Sequence, residues 1–228
     1  MNIIMLAAGT SSRLGKENKL LLPYGGVPMV THCCLEALKF LEKYSSENNV
    51  SCTLIVVTGY RRRSVEKALE PCKLFVGKTG ASIKLLIVNN RNYRRGQFSS
   101  TKVGVAEVEE SSPFFISLAD MPLVSAGHYG KLVPLLGNHE AVRPFFESKE
   151  GKMPGHPVLH SYCLKERLLQ CPDSCTVSKV LKSSDVFEPL FDNPSWVQDI
   201  DIIQDYESIT NCPCGALSCT VSPSLKRP

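Results

Sequence analysis

Two hydrophobic spacings alternate along this chain. Nearly unbroken apolar runs at residues 3–6, 54–57, 83–88 and 114–118 are rich in β-branched and large aliphatic side chains. Each run gives way to small, polar or acidic residues: Ala7-Ala8-Gly9, Thr58-Gly59, Asn89-Asn90 and Ala119-Asp120-Met121-Pro122. Between the runs the spacing changes to that of helices. Val30, Cys33, Cys34, Ala37, Leu38 and Leu41 define one apolar face, and Val65, Ala68 and Leu69 a shorter one. Continuous apolar strands separated by helices predict a mostly parallel sheet covered on both faces. Ligands of such sheets bind beyond the carboxyl ends of the strands. Four strand ends carry small or polar residues there, so the pattern itself nominates a crevice.

The last third is less regular. It predicts a strand over 156–160, helical pieces around 164–169 and 177–181, and an acidic pair, Asp199 and Asp201. No linker, internal repeat or low-complexity segment divides the chain, so 1–209 reads as one domain. Residues 210–228, rich in Cys, Pro and Ser, read as a flexible tail.

Composition narrows the class. A chain of 228 residues with 43% hydrophobic and 21% charged residues can bury the core of one substantial α/β domain. No apolar stretch approaches the ~20 residues that span a bilayer. The first apolar run is too short and lacks the charged flank of a signal peptide. These features lead to the expectation of a cytoplasmic protein without membrane partners. A net charge of +4 suits an anionic small molecule and gives no nucleic-acid footprint. Of the ten cysteines, Cys33, Cys34 and Cys52 fall within apolar patterns and read as reduced core residues. Cys212, Cys214 and Cys219 lack the pairing of a structural zinc site.

The candidate chemistry begins at the first strand end. Gly9 is followed by Arg13, Lys16 and Lys19, so a small-residue loop opens directly into a cluster of cations. Small residues let backbone N–H groups approach a ligand, and cations neutralise phosphate charge. Gly9 and Gly15 enclose five residues and Lys16 precedes Glu17, which excludes a Walker A loop; residue 11 is Ser, which excludes the dinucleotide fingerprint. The alternative is a loop whose Ser11 and Ser12 cap a helix while the cations are solvated.

Four further groups carry candidate chemistry. Asp120, just beyond a strand and before Pro122, could share Mg²⁺ with substrate phosphates or hydrogen-bond its own turn. Gly96, Ser99 and Ser100 open a helix and could hold a base, ribose or phosphate, or simply cap it. Asp199 and Asp201 would face the same way on a strand, where one could supply a second metal ligand, or either would cap a helix near Asp205 and Tyr206. His156, in Gly155-His156-Pro157, could meet an acceptor. His32, His128 and His160 have no partner pattern. No Ser–His–Asp or Cys–His set is present, which disfavours a covalent nucleophile.

Taken together, these blocks resemble those of the MobA-like nucleotidyltransferases. The resemblance rests on residues 6–15 with Asn18-Lys19-Leu20-Leu21, on residues 92–104, on Ala119-Asp120-Met121-Pro122, on Gly155-His156-Pro157-Val158, and on Asp199 to Tyr206. It implies a Rossmann-like, three-layer (GT-A-like) α/β fold and transfer of a nucleotide onto a phosphate acceptor with Mg²⁺. The Leu-Ala-Ala-Gly form of the first block is similar to the molybdenum cofactor cytidylyltransferase branch and implies CTP. By position, the resemblance assigns Leu6, Ala7, Ala8, Gly9, Arg13, Lys19, Thr58, Gly59, Asn89, Gly96, Ser99 and Ser100 to the nucleotide. Arg13, Lys19 and Asp120 become catalytic, and Asp120 and Asp201 metal ligands. Gly155, His156 and Pro157 would meet the pterin acceptor, molybdopterin. Ala119 stands where the family usually has glycine, and Ile202-Ile203-Gln204 replaces its usual Thr-Pro-Glu.

The implied reaction is attack by the molybdopterin phosphate on the α-phosphorus of CTP, with transient contact with a molybdenum hydroxylase afterwards. A phosphate monoester is largely dianionic at neutral pH, its second pKa being about 6, so no general base is needed. Rival readings are the same fold with another base or acceptor, guanylyl or sugar-phosphate, and a non-catalytic carrier of the cofactor.

Overall fold

A computed structural model describes residues 1–10, 18–149, 151–200 and 204–206. Its elements follow the alternation of the sequence. Strand β1 (Asn2–Ala7) leads through a hairpin, β2 (Pro23–Tyr24) and β3 (Val27–Pro28), to the long helix α1 (Met29–Asn48). Then come β4 (Cys52–Thr58), α2 (Arg62–Ala68), α3 (Glu70–Lys78), β5 (Ile83–Asn89), α4 (Gln97–Ala106) and β6 (Phe114–Leu118). Helix α5 (Ala126–Leu132) precedes the less regular part, β7 (Ala141–Val142), β8 (Phe145–Ser148), β9 (Gly151–Pro154) and β10 (Val158–His160). Helices α6 (Leu164–Gln170) and α7 (Val177–Leu181) and strands β11 (Val186–Phe187) and β12 (Leu190–Phe191) follow.

The main sheet has seven strands in the order β11-β7-β10-β6-β1-β4-β5. All neighbours run parallel except β10, which is antiparallel to both β6 and β7. The sheet is therefore mostly parallel, as its apolar runs predict. Both faces are covered, and the split of side chains shows why the strands carry no polar alternation. Ile3, Met5, Leu54, Val56 and Phe115 pack with α1 and α5 in one cluster, while Ile4, Leu6, Ile55, Val57 and Ile116 pack with α4 and α6 in another. A Cβ on Gly104 of α4 would collide with Ile4, so the glycine lets this helix lie close on the sheet.

Chain order reverses between β1 and β6, since β4 and β5 lie on one side of β1 and β6 on the other. That is the switch point at which a crevice opens beyond the strand ends.

Several expectations change. The predicted strand at 156–160 starts only at Val158, since Pro157 has no N–H to donate to a ladder. Asp199 lies outside any strand, so the same-face argument for the acidic pair does not apply to it. The helix opened by the Gly96 block is capped by Gly96 itself, with no side-chain cap from Ser99 or Ser100. Strands β7, β8, β9, β11 and β12 are too short to show a hydrophobic period; β8, β9 and β12 form a separate three-stranded sheet. Arg13, Asp201, Cys212, Cys214 and Cys219 lie outside the described residues, as does the tail.

Candidate active site

Three parallel strands deliver the floor of the crevice. The carbonyl of Leu6 accepts the N–H of Ala119, and the carbonyl of Ala8 accepts the N–H of Tyr60. The ends of β1, β6 and β4 are thus laced together, with Ala7 and Ala8 buried. Among the described residues no atom would meet a Cβ on Gly9. Gly59 is different: a Cβ there would stand 2.8 Å from both Ala8 Cβ and Tyr93 Cβ. Its glycine is required by packing between two crevice loops.

Lys19 meets Asp120 directly. Asn18 caps a short 3₁₀ turn, residues 19–21, by accepting the N–H of Leu20 on its Oδ1 at 3.1 Å. Leu20 is buried in the core, which fixes the turn on the sheet. Lys19 then lies at the crevice with its Nζ 2.5 Å from Asp120 Oδ2, both side chains mostly buried. The carbonyl of Asp120 accepts the N–H of Ile200 at 3.0 Å, so the segment carrying Asp199 is fastened beside it. The structure therefore joins three stretches that lie far apart in the sequence: the Lys19 turn, Asp120 and the Asp199–Ile200 segment.

The β5–α4 connection has its own anchor. Asn90, nearly fully buried, donates from Nδ2 to Ser99 Oγ and Ser100 Oγ at 2.9 Å each and accepts the N–H of Asn92 on Oδ1. Ser99 in turn donates to the Gly96 carbonyl at 2.8 Å. The hydroxyls of Ser99 and Ser100 are therefore buried inside the loop and shape it. Thr58 behaves likewise, its hydroxyl donating to the Val88 carbonyl at 3.2 Å. Asn89 is half-buried opposite Thr58, and Gly96 is exposed at φ 103°. Around this connection Arg61, Arg62, Arg63, Arg91 and Arg94 are exposed, with Arg61 over the ring of Tyr60 and Arg94 over that of Tyr93. This cationic rim favours an anionic ligand.

On the opposite side, β10 enters the sheet from the crevice edge. Gly155 donates its N–H to the Pro144 carbonyl and His156 to the Trp196 carbonyl, both at 2.7 Å. A Cβ on Gly155 would lie 2.5 Å from that Trp196 oxygen. Pro157 is buried, and the His156 ring reaches the Ile116 carbonyl at 3.4 Å. Burial lowers the His156 pKa below the ordinary histidine value, with Arg143 adding to the effect and Asp120 opposing it. The ring is neutral at pH 7.

Asn90, Arg143 and Trp196 are absent from the sequence-level site. Only Trp196, the single tryptophan, carries a compositional signal. Among the described residues no three His, Cys, Asp or Glu side chains gather into a ready metal site, and no helix is long and apolar enough to cross a membrane.

A doubly wound, three-layer sheet with small-residue loops, a lysine and an aspartate at its switch point defines a nucleotidyltransferase-type α/β protein. The chain belongs to the MobA-like NTP transferase family, whose domain matches residues 3–187. It is 25% identical over 206 residues to the molybdenum cofactor cytidylyltransferase of Escherichia coli K12, covering 90% of this chain and 93% of that one. Among solved structures, Rv0371c of Mycobacterium tuberculosis superposes with a TM-score of 0.67 at 21% identity, over 92% of this chain and 97% of that one. The same mycobacterial protein in complex with manganese gives 0.59 at 18% identity, over 92% and 98%.

Proposed function

We propose that this protein transfers CMP from CTP to the phosphate of molybdopterin and releases pyrophosphate. The observation that carries the reading is the Lys19–Asp120 pair at the end of β6, beside the small-residue turn Ala7-Ala8-Gly9. A carboxylate and a lysine in contact at the crevice suit a triphosphate and its divalent ion, and a pure carrier of cofactor has no need of them. Similarity to the E. coli cytidylyltransferase, together with Ala8, directs the choice of base towards cytidine.

Asp120 offers hard oxygen donors at a partly solvated strand end, which fits Mg²⁺; Asp201, the first residue beyond Ile200, would be the second ligand. When bound, the ion would neutralise charge on the triphosphate and on the departing pyrophosphate. The residues of the chain do the positioning. Ala7 to Gly9 present backbone to the nucleotide, and the Asn90-braced loop closes over its base or ribose. Lys19 turns from Asp120 to the phosphates, and Arg13 adds a second cation. The acceptor phosphate is already a dianion, so catalysis reduces to in-line placement and charge neutralisation.

Asp120→Ala tests the reading. Pyrophosphate release from CTP and molybdopterin should fall by about 10²-fold or more, with circular dichroism and melting temperature near those of the wild type. Near-normal turnover would remove Asp120 from the chemistry. Ligand-induced stabilisation should rank CTP above GTP, ATP and UTP.

A further inference from the structure

Arg143 is a cation that the fold half-buries with no ion-pair partner among the described residues. It follows the last residue of β7, and β7 runs parallel to β6, so Arg143 emerges at the same sheet edge as Asp120. The next residue, Pro144, accepts the Gly155 N–H, which ties Arg143 to the start of the Gly155-His156-Pro157 block. Among the described residues no carboxylate lies within ion-pairing distance of its guanidinium. Its Nη2 donates to Ser178 Oγ at 3.3 Å, and its carbon Cζ stands 5.5 Å from the Phe145 ring centroid. Its Nε is buried and has no hydrogen-bond partner.

Half-burying a guanidinium against one hydroxyl and one ring is expensive. Burial lowers its pKa, and the charge of Glu188 at longer range opposes this. A folding role does not explain this arrangement, since an apolar residue would pack there without the desolvation cost. A site that receives an anion does explain it, because a planar fork of N–H donors matches a phosphate and a partly dry setting strengthens the contact.

We infer that Arg143 binds the anionic group of the acceptor, a phosphate monoester, on the side of the crevice formed by β7 and the entry to β10. The inference rests on the nucleotidyltransferase reading for the identity of the acceptor, but the anion site stands on the arginine's own surroundings. It divides the crevice into two charged halves. Lys19 and the cationic rim serve the triphosphate, and Arg143 brings the second anion towards them against their mutual repulsion.

Arg143→Gln and Arg143→Lys, in the full-length protein, decide the matter. With CTP saturating, inorganic phosphate should raise the melting temperature of the wild type and have no effect on Arg143→Gln; Arg143→Lys should keep part of the shift. The CTP-induced shift should be the same in all three. Arg143→Gln should melt no lower than the wild type in the absence of phosphate, and its KM for molybdopterin should rise by tenfold or more with the KM for CTP unchanged. A phosphate shift that survives in Arg143→Gln, or is absent from the wild type, overturns the inference. So does a large fall in stability of both variants with the molybdopterin KM unaltered. If no nucleoside triphosphate yields pyrophosphate while the Arg143-dependent phosphate shift persists, the transferase reading fails and the anion site stands.

Discussion

Gly155 shows how a single atom fixes the acceptor side of the crevice. The Trp196 carbonyl occupies the place that a Cβ would take, and the same oxygen accepts the His156 N–H. Gly155→Ala must push away backbone, not the end of a flexible side chain. We expect a loss of about 1–3 kcal/mol, the usual cost of overpacking a rigid site, read as a fall in the urea midpoint. Turnover should fall with it, since Pro157 and His156 follow directly. An unchanged midpoint would show that the short 3₁₀ turn carrying Trp196 yields freely. The sequence exposes Gly155 as part of a motif, but not what it touches. Trp196 lies some forty residues downstream, and no periodicity links the two. Asp120 was more legible, because its position after an apolar run and before a proline follows from local rules alone. That its partner is Lys19 came only from folding.

At the level of elements, the β5–α4 connection is held by one buried side chain. Asn90 satisfies both serine hydroxyls at the start of α4 and the N–H of Asn92. Asn90→Leu keeps the branching and heavy-atom count and leaves those groups without their Asn90 partner, which should cost about 1–3 kcal/mol. The loop would also lose its fixed approach to the nucleotide, so the KM for CTP should rise by about tenfold or more, misplacement of a binding loop having effects of that order. Calorimetry and steady-state kinetics on the same preparation check both; a stability loss with unaltered KM would confine Asn90 to folding. The helix itself was readable from its spacing, and so were the strands before and after it. The role of the two serines was not. Hydroxyls at a helix start look alike in sequence whether they face a ligand or their own loop, and the difference is set by the neighbour that reaches them.

Across the whole molecule, acid stability follows from buried histidines. Burial pushes His160, stacked on Phe114, down to about 3 and His128, against Trp196, down to about 4. Both lie below the unfolded value of about 6.5, so the unfolded chain binds protons that the folded one refuses. Their contribution is complete above pH 6.5 and is lost as the pH falls towards 4 and then 3. We expect the melting temperature to drop by several degrees (about 2–4 °C per kcal/mol for a chain of this size) between pH 6.5 and 4.5. His160→Phe should flatten that slope, and an identical slope in this variant would assign the acid sensitivity elsewhere.

The sequence by itself determined the layer architecture, because runs buried on both faces must be apolar throughout and helices on those faces must be amphipathic. It also determined the crevice edge, because small and acidic residues recur where strands end. Only the tertiary structure decided which groups share that edge. The antiparallel insertion of β10, the pairing of Lys19 with Asp120, the brace of Asn90 and the half-buried setting of Arg143 all depend on contacts between distant segments. Such contacts leave no local period, since they are selected by the shape and charge of the assembled core and not by the spacing of residues along the chain.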